Sequence, residues 1–384
     1  MAGAGDDDFH RIAALRDLAE MKARPLWQAL ETASSRAARA ALPTGRQTNG
    51  GRSTETIGFD ASAMQSVDNR QSRFPFLALK LGLSLLVVAV IYEHGIFATA
   101  WRQFTHVDPG LVLLAVVLGL FQTALGALRW KNILILLGAR LSTREALQLF
   151  YIAVFFNTYV WGGVGGDVLR GWLAYRTGTA PADAIHSVIL DRIAAVAGVA
   201  LLMLFTIPWF ALRTESDAML RFLSVGGAGI LAAIALVSQL DRLPEKWHRL
   251  RAVRLLLGLG KATRRTLFSI GALSVLAAAI LSQMAFALGT YSLAWALGIE
   301  IGVLDCLALM PPVALLIALP ISLGGWGVRE AAMIALFGAI NVAASKALLL
   351  SVCLGLVAQV VALPGGVMWL FWREVSSPLD TARS

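Results

Sequence analysis

The 384-residue chain is 57% hydrophobic and 15% charged, with a mean hydropathy of +0.69 and a formal net charge of +9. Soluble chains carry about a quarter charged residues. Here the apolar residues gather into runs long enough to cross a bilayer, about 20 residues each, which excludes a single soluble core. The excess of Lys and Arg fits basic loops on one membrane face, and no basic patch on a soluble segment points to nucleic acid.

Residues 1–73 read as a separate polar tail, partly helical or disordered. "FHRIAALRDLAEMKARPLWQAL" has helical spacing of Ile12, Leu15, Leu18 and Leu26 with a break near Pro25, and "PTGRQTNGGRSTET" is a linker by composition. The opening "MAGAGDDDFH" lacks the basic and apolar regions of a secretory signal. Asp6, Asp7 and Asp8 form a solvated acidic end and no metal site. Predicted spans follow at about 75–97, 109–128, 184–211, 221–240, 267–297 and 346–372. Two odd pieces, 145–178 and 304–343, carry the glycine motifs "WGGVGGDVLRGW" and "PISLGGWGVREAA". Cys306 and Cys353 lie in apolar runs and read as small buried hydrophobes.

Loop charges set the orientation. Arg70 and Arg73 put the tail inside. Arg129, Lys131, Arg140 and Arg144 put the next connection inside, and "DRLPEKWHRLRAVRLLLGLGKATRR" fixes the 241–266 loop inside. The span 184–211 must then begin inside, so 145–178 enters from the cytoplasm and returns to it. Its return arm, "DVLRGWLAYRTGT", reaches roughly 20 Å as a helix, too short for a hydrocarbon core of about 30 Å. By the same pattern 304–343 enters from the opposite face. The expected fold is an all-α polytopic membrane protein. It forms an inverted-topology repeat with about six full spans plus two re-entrant or broken helix pairs. Residues 74–375 make the transmembrane domain, and 376–384 a short tail. Both termini are expected in the cytoplasm.

A turn at membrane depth leaves backbone groups unpaired unless protein buries it or a wet cavity serves it. Gly162, Gly163, Gly165 and Gly166 in the first motif, and Pro320, Gly324, Gly325 and Gly327 in the second, are the expected turn or hinge positions. Broken helices also aim N-terminal amides at an anion. Asp167, Arg170, Asp191, Arg192, Arg329 and Glu330 sit in or beside apolar segments. At about 3 kcal/mol per unpaired charge on insertion scales they must pair, hydrate or lie near an interface. Asp167 and Arg170, three apart, share a helix face. Asp191 and Arg192, and Arg329 and Glu330, are adjacent and point apart, so these four need partners on other segments. The expectation is one cross-linked cluster of the first arm and the 184–211 span, with Arg329 and Glu330 nearby. Arg170 and Arg329 are the candidates for gripping phosphate; Asp167 and Glu330 suit a proton, a cation or an amine headgroup. Asn157 and Gln283 read as interhelical glue, His186 as a local hydrogen-bonding group, and Trp101, Trp130, Trp369 and Trp372 as interfacial anchors. His94 and His106 have no ligand spacing. No catalytic residue, metal site or cofactor is expected.

"FFNTYVWGGVGGDVLRGW", "SVILDRIAAVAGV" and "LPISLGGWGVREAA" together resemble the signature regions of the lysylphosphatidylglycerol synthase transmembrane-region family, the flippase-like proteins, over about residues 75–375. The matching positions are Gly166, Asp167, Arg170, Asp191, Arg192, Pro320, Gly324, Gly325, Gly327, Arg329 and Glu330. Trp161 stands where members commonly carry proline. The resemblance implies a bacterial-type inner-membrane domain that moves a lipid or lipid-linked molecule between leaflets, holding an anionic headgroup in a polar cavity between the repeats. The aminoacyl-transferase domain of the family's resistance factors has no counterpart here, so the chain is expected not to be an enzyme. Two alternatives stay open: a membrane transferase acting on a lipid-linked donor, and a non-transporting partner of a lipid synthase. The expected partners are a membrane lipid or lipid-linked substrate, with a lipid-synthesis enzyme or a second copy of the chain left open.

Overall fold

The computed structural model describes residues 107–159, 165–212, 217–240, 251–318 and 325–371, with 251–257 as backbone only. The expected tail 1–73, the span 75–97 and the C-terminal 376–384 lie outside the described residues, as do Trp101, Trp161, Trp372, His94 and His106. Gly162, Gly163, Pro320 and Gly324 lie outside them too.

Among the described residues the fold is all α-helix, in chain order α1 (Pro109–Leu137), α2 (Thr143–Tyr159), α3 (Gly165–Arg176), α4 (Pro181–Phe210) and α5 (Asp217–Val237). Then come α6 (Arg251–Leu267), α7 (Ala272–Ala296), α8 (Val303–Ala318), α9 (Val328–Gly338) and α10 (Ala344–Leu370). Five of these, α1, α4, α5, α7 and α10, are long and apolar enough to cross a membrane. Leu113, Val117 and Phe121 on α1, Phe205 on α4, Val225 and Leu236 on α5 and Leu356, Val360 and Val367 on α10 stay exposed. Such a surface belongs in lipid and not in water. The chain is a multi-pass all-α membrane protein.

α1 is longer than the expected 109–128. Asp108 caps it, its side chain accepting from the amides of Gly110 and Leu111, and Pro109 fills the first helical position, where an amide has no partner in any case. The helix runs on through Arg129 and Lys131 and stops only at Gly138, whose φ of 99° suits a residue with no Cβ. Arg129, read from the sequence as a loop charge, is therefore inside a helix.

α1 and α7 lie antiparallel along their length. The Asp108 amide donates to the Ala296 carbonyl, the Ser292 hydroxyl to the Leu111 carbonyl, and Leu136 sits against Gly271 at the other end. The ends of the bundle can be named from this pair. The proximal end holds the α1 C-terminus, the α7 N-terminus and the start of α4, joined through Ile133, Leu190, Ala194, Ala262, Leu267 and Val275. The distal end holds Val107, Phe210, Leu297 and Ile299. α10 runs from distal to proximal, because it is antiparallel to α2: Tyr159 donates to the Gln359 carbonyl and Gly365 packs on Tyr151.

Glycines set the closest approaches, as at membrane helix interfaces generally. A Cβ at Gly365 would lie 2.0 Å from the Tyr151 carbonyl oxygen, and one at Gly198 would lie 2.9 Å from the Ala279 backbone. Replacing α1–α4 by α7–α10, helix for helix, maps the main packing pairs onto one another. The α2–α10 contact becomes α8–α4, α2–α3 becomes α8–α9, α3–α4 becomes α9–α10, and α1–α7 maps onto itself.

Candidate functional site

The first charge group is built on α1, α3 and α4. Asp191 on α4 accepts from Arg129 Nε on α1 at 2.7 Å and from Arg170 on α3 at 2.9 Å. Arg170 also meets Asp167, one turn back on α3, at 3.4 Å. Asp167 in turn takes the guanidinium of Arg192, with Nε at 2.8 Å. Arg129 reaches a further hydroxyl, Ser282 on α7, at 3.4 Å. The result is a chain of charges, Arg129–Asp191–Arg170–Asp167–Arg192, tying the consecutive helices α3 and α4 to α1.

Burial is graded along that chain. The Arg129, Asp191 and Arg170 side chains are 7%, 3% and 2% exposed, Asp167 is 14% exposed and Arg192 49%. Arg129 lies eight residues before the end of α1 and Asp191 ten residues into α4. At 1.5 Å per residue these sites are about 12–15 Å from the proximal helix ends. The Arg170 guanidinium sits 5.0 Å from the Trp130 ring centre and 4.7 Å from that of Phe150, a cation–π contact on both. Its Nε is buried and has no hydrogen-bond partner.

The start of α3 is fixed by a short approach to α2. The Gly166 amide donates to Asn157 Oδ1 at 2.8 Å, and a Cβ at Gly166 would stand 2.0 Å from the Ala153 carbonyl oxygen. Asn157 thus does act between helices, as a cap on α3. The carboxylate of Asp167 in the first turn faces the positive end of the helix dipole.

The second group is on α9 and α10. Gly327, with φ of 86°, caps α9 in a conformation disfavoured for other residues, and the Glu330 carboxylate reaches back to accept from its amide. Glu330 Oε1 accepts from Arg329 at 2.7 Å. Ser351 on α10 joins them, accepting from Arg329 Nε and donating to Glu330 Oε1, both at 3.1 Å. Arg329 lies 4.6 Å from the Trp326 ring and fits a notch at Gly355, where a Cβ would come within 2.3 Å of its guanidinium.

Asp167 and Arg170 pair on one helix face, and Asp191 and Arg192 find partners on other helices, as the sequence spacing required. Arg329 and Glu330 depart from the expectation: neighbours in sequence, they pair with each other. Both side chains are long, and in the first turn Glu330 is bent back toward the cap, which brings its carboxylate across to Arg329. Among the described residues, none of the ion pairs or hydrogen bonds of Arg329 and Glu330 runs to α3 or α4. The expected cross-link of the first arm to the 184–211 span is present, and Arg329 and Glu330 form a second bonded group, seven residues into α10 from the distal end.

Trp130 corrects another expectation. It is no interfacial anchor; it is 0% exposed, with its indole N–H donating to Ser187 at 3.1 Å. Sequence reasoning also missed Arg129 and Ser351. Arg129 stands at the end of an apolar run next to Trp130 and Lys131, which reads as a loop border. A serine inside an apolar run carries no signal at all.

No curated protein matches the chain. The family model described as lysylphosphatidylglycerol synthase TM region matches residues 77–366, a range that holds every member of both charge groups, and the chain belongs to that family.

Proposed function

We propose that this protein is a translocase for a lipid or lipid-linked molecule with an anionic headgroup, acting in an inner membrane without chemical conversion of its substrate. One observation carries the reading. The first charge group holds three arginines and two aspartates, so it bears one positive charge in excess, and its most exposed member is Arg192. The buried members balance, Arg129 and Arg170 against Asp191 and Asp167, so the surplus falls on Arg192, which is 49% exposed and open to a ligand. An anionic headgroup arriving at Arg192 balances it. Arg170 is already engaged by two carboxylates and serves as the fixed centre of the network, holding Asp167 and Asp191 in register. The phosphate-gripping role moves outward to Arg192, in competition with Asp167. On the other half, Arg329 is the corresponding buried arginine.

The helix directions support the broken-pair architecture. α1 ends and α4 begins at the proximal end, so α2 and α3 leave and return on one side; α8 and α9 do the same between α7 and α10 at the distal end. Exchange of the two halves reverses each helix direction while preserving its neighbours, as in an inverted-topology repeat. In such folds one repeat rocks against the other to expose a central site alternately. Cytoplasmic termini follow from the basic proximal loops.

Reconstituted vesicles with labelled phospholipids, hopanoids and prenyl-phosphate sugars provide the test. At least one class should cross leaflets faster than in empty vesicles, and Arg192→Gln should slow it at least tenfold while the protein stays folded. No class crossing above the empty-vesicle rate overturns the proposal.

A further inference from the structure

α6 is a described helix that the transport reading leaves unused. It joins α5 to α7, two spans, so it belongs to the proximal end, and its composition, "RAVRLLLGLGKATRRTL", bars it from the hydrocarbon. Its inner stripe, Ala262, Thr263, Thr266 and Leu267, is buried, packing through Ala262 and Leu267 on Ile133 of α1, Leu190 and Ala194 of α4 and Val275 of α7. Leu190 and Ala194 flank Asp191 and Arg192, so α6 lies across the helix that carries the first charge group. Gly258 sits against His186 one turn closer to the start of α4, a Cβ there falling 3.3 Å from the ring.

The outer face is cationic. Lys261 and Arg265, four apart, are both exposed. In sequence, Arg251, Arg254, Lys261 and Arg265 recur at spacings that fall on one stripe of a 3.6-residue helix. The stretch 241–266 has eight Lys or Arg against two acids, which accounts for six of the nine net charges of the chain. Lys131, near the end of α1, adds to the same end of the bundle. A basic amphipathic helix docked by its apolar stripe at the edge of a bilayer has an outer face at headgroup level, where anionic lipids concentrate.

We infer that the outer face of α6 is a binding site for anionic phospholipid headgroups, centred on Lys261 and Arg265. The site is separate from the Arg192–Asp167 pair and stands whether or not the protein transports lipid. It enriches anionic lipid at the proximal end of the bundle.

Lipid association with the full chain tests this without any transport readout. The wild type is reconstituted in phosphatidylcholine vesicles containing traces of spin-labelled phosphatidylglycerol or spin-labelled phosphatidylcholine, and the motionally restricted fraction of each label is measured at low and high salt. The wild type should prefer the anionic label at low salt and lose most of that preference at high salt. Lys261→Gln with Arg265→Gln should lower the preference by about five- to thirtyfold, on the basis of about 1 kcal/mol per basic residue at an anionic surface. The charge-conserving Lys261→Arg with Arg265→Lys should keep it. Arg221→Gln, an exposed arginine near the distal start of α5, should leave it unchanged. Inorganic phosphate, added at the ionic strength of the low-salt control, should not displace the lipid. The inference is overturned if the double Gln variant keeps the wild-type preference, if Arg221→Gln lowers it equally, or if free phosphate abolishes it. The result is independent of the leaflet assay, so its failure and that of the translocase reading are distinguishable.

Discussion

Arg129 and Asp191, 62 residues apart in sequence, meet at 2.7 Å with both side chains under a tenth exposed. Asp191 is shared with Arg170, whereas Arg129 has a single carboxylate partner. That asymmetry predicts the order of damage. Arg129→Gln leaves Asp191 still paired, and Asp191→Asn strands Arg129 and half of the Arg170 fork. Breaking a buried pair costs about 3–5 kcal/mol. The Asp191→Asn protein should lie at or beyond the top of that range and Arg129→Gln at or below its bottom. Thermal unfolding in detergent reads the order, and equal losses would contradict the sharing. Combining Arg129→Met with Asp191→Leu should cost less than Asp191→Asn alone, since no uncompensated charge stays buried on that pair.

The second group makes a contrasting case, because its two charges come from one helix and only Ser351 ties them to the next. Ser351→Ala removes a donor to Glu330 and an acceptor from Arg329, for a loss of about 1–3 kcal/mol. Gly355→Ala acts on the same guanidinium by bulk: the new methyl would fall on Arg329, which is 6% exposed and has little room to retreat. The glycine variant should be the less stable of the two, by the midpoint of chemical denaturation.

Close helix approach gives a third expectation. Gly365→Ala would press a Cβ into the Tyr151 backbone, which cannot swing aside, so α2 and α10 must part; overpacking of this kind costs about 1–3 kcal/mol or more. Gly229, inside α5, would have nothing within 4 Å of an added Cβ. Gly229→Ala should be neutral or stabilise by up to about 1 kcal/mol through helix propensity. Melting temperatures of the two variants should move in opposite directions or leave Gly229→Ala unmoved; a similar fall in both would refute the packing argument.

The sequence made the spans legible because apolar length is a one-dimensional property. The helices at 181–210, 217–237, 272–296 and 344–370 fall within a few residues of the hydropathy reading. It made the short arms legible as well, since glycine runs and charges bracket them. What escaped it was the part of the cross-helix pairing that runs through α1. Asp191 was visible as a buried charge needing a partner, but Arg129, its partner, stood at a border that basic residues ordinarily mark. Trp130 escaped for the same reason: a tryptophan at the edge of an apolar run is ordinarily interfacial, and the packing of α2, α3 and α4 against α1 buries it. For Arg329 and Glu330 the helical-wheel argument failed because it treats side chains as short vectors. Two long side chains in a first turn, one of them pulled back to a cap, reach each other easily.

A last prediction concerns the start of α2. Ser142 and Glu145 form a reciprocal cap: the Ser142 amide donates to Glu145 Oε2 at 2.8 Å, and the Glu145 amide to Ser142 Oγ at 3.2 Å. Glu145 lies in the first turn, outside the spans, and its carboxyl is held below its ordinary value by the Ser142 hydroxyl first and the Ser142 amide second, with partial burial opposing them. A carboxylate with a depressed folded value stabilises the fold above the unfolded value, near 4.3 for Glu, and loses that contribution as pH falls through the folded one. Wild type should therefore melt above Glu145→Gln at neutral pH, and the gap should narrow steadily below about pH 4. Ser142→Ala should lower stability by about 1 kcal/mol at neutral pH. In the Ser142→Ala background the further change Glu145→Gln should cost less than it does in wild type, because the hydroxyl that depresses the carboxyl is gone. A gap between wild type and Glu145→Gln that stays constant from neutral to acidic pH would show that the charge of Glu145 contributes nothing to the cap.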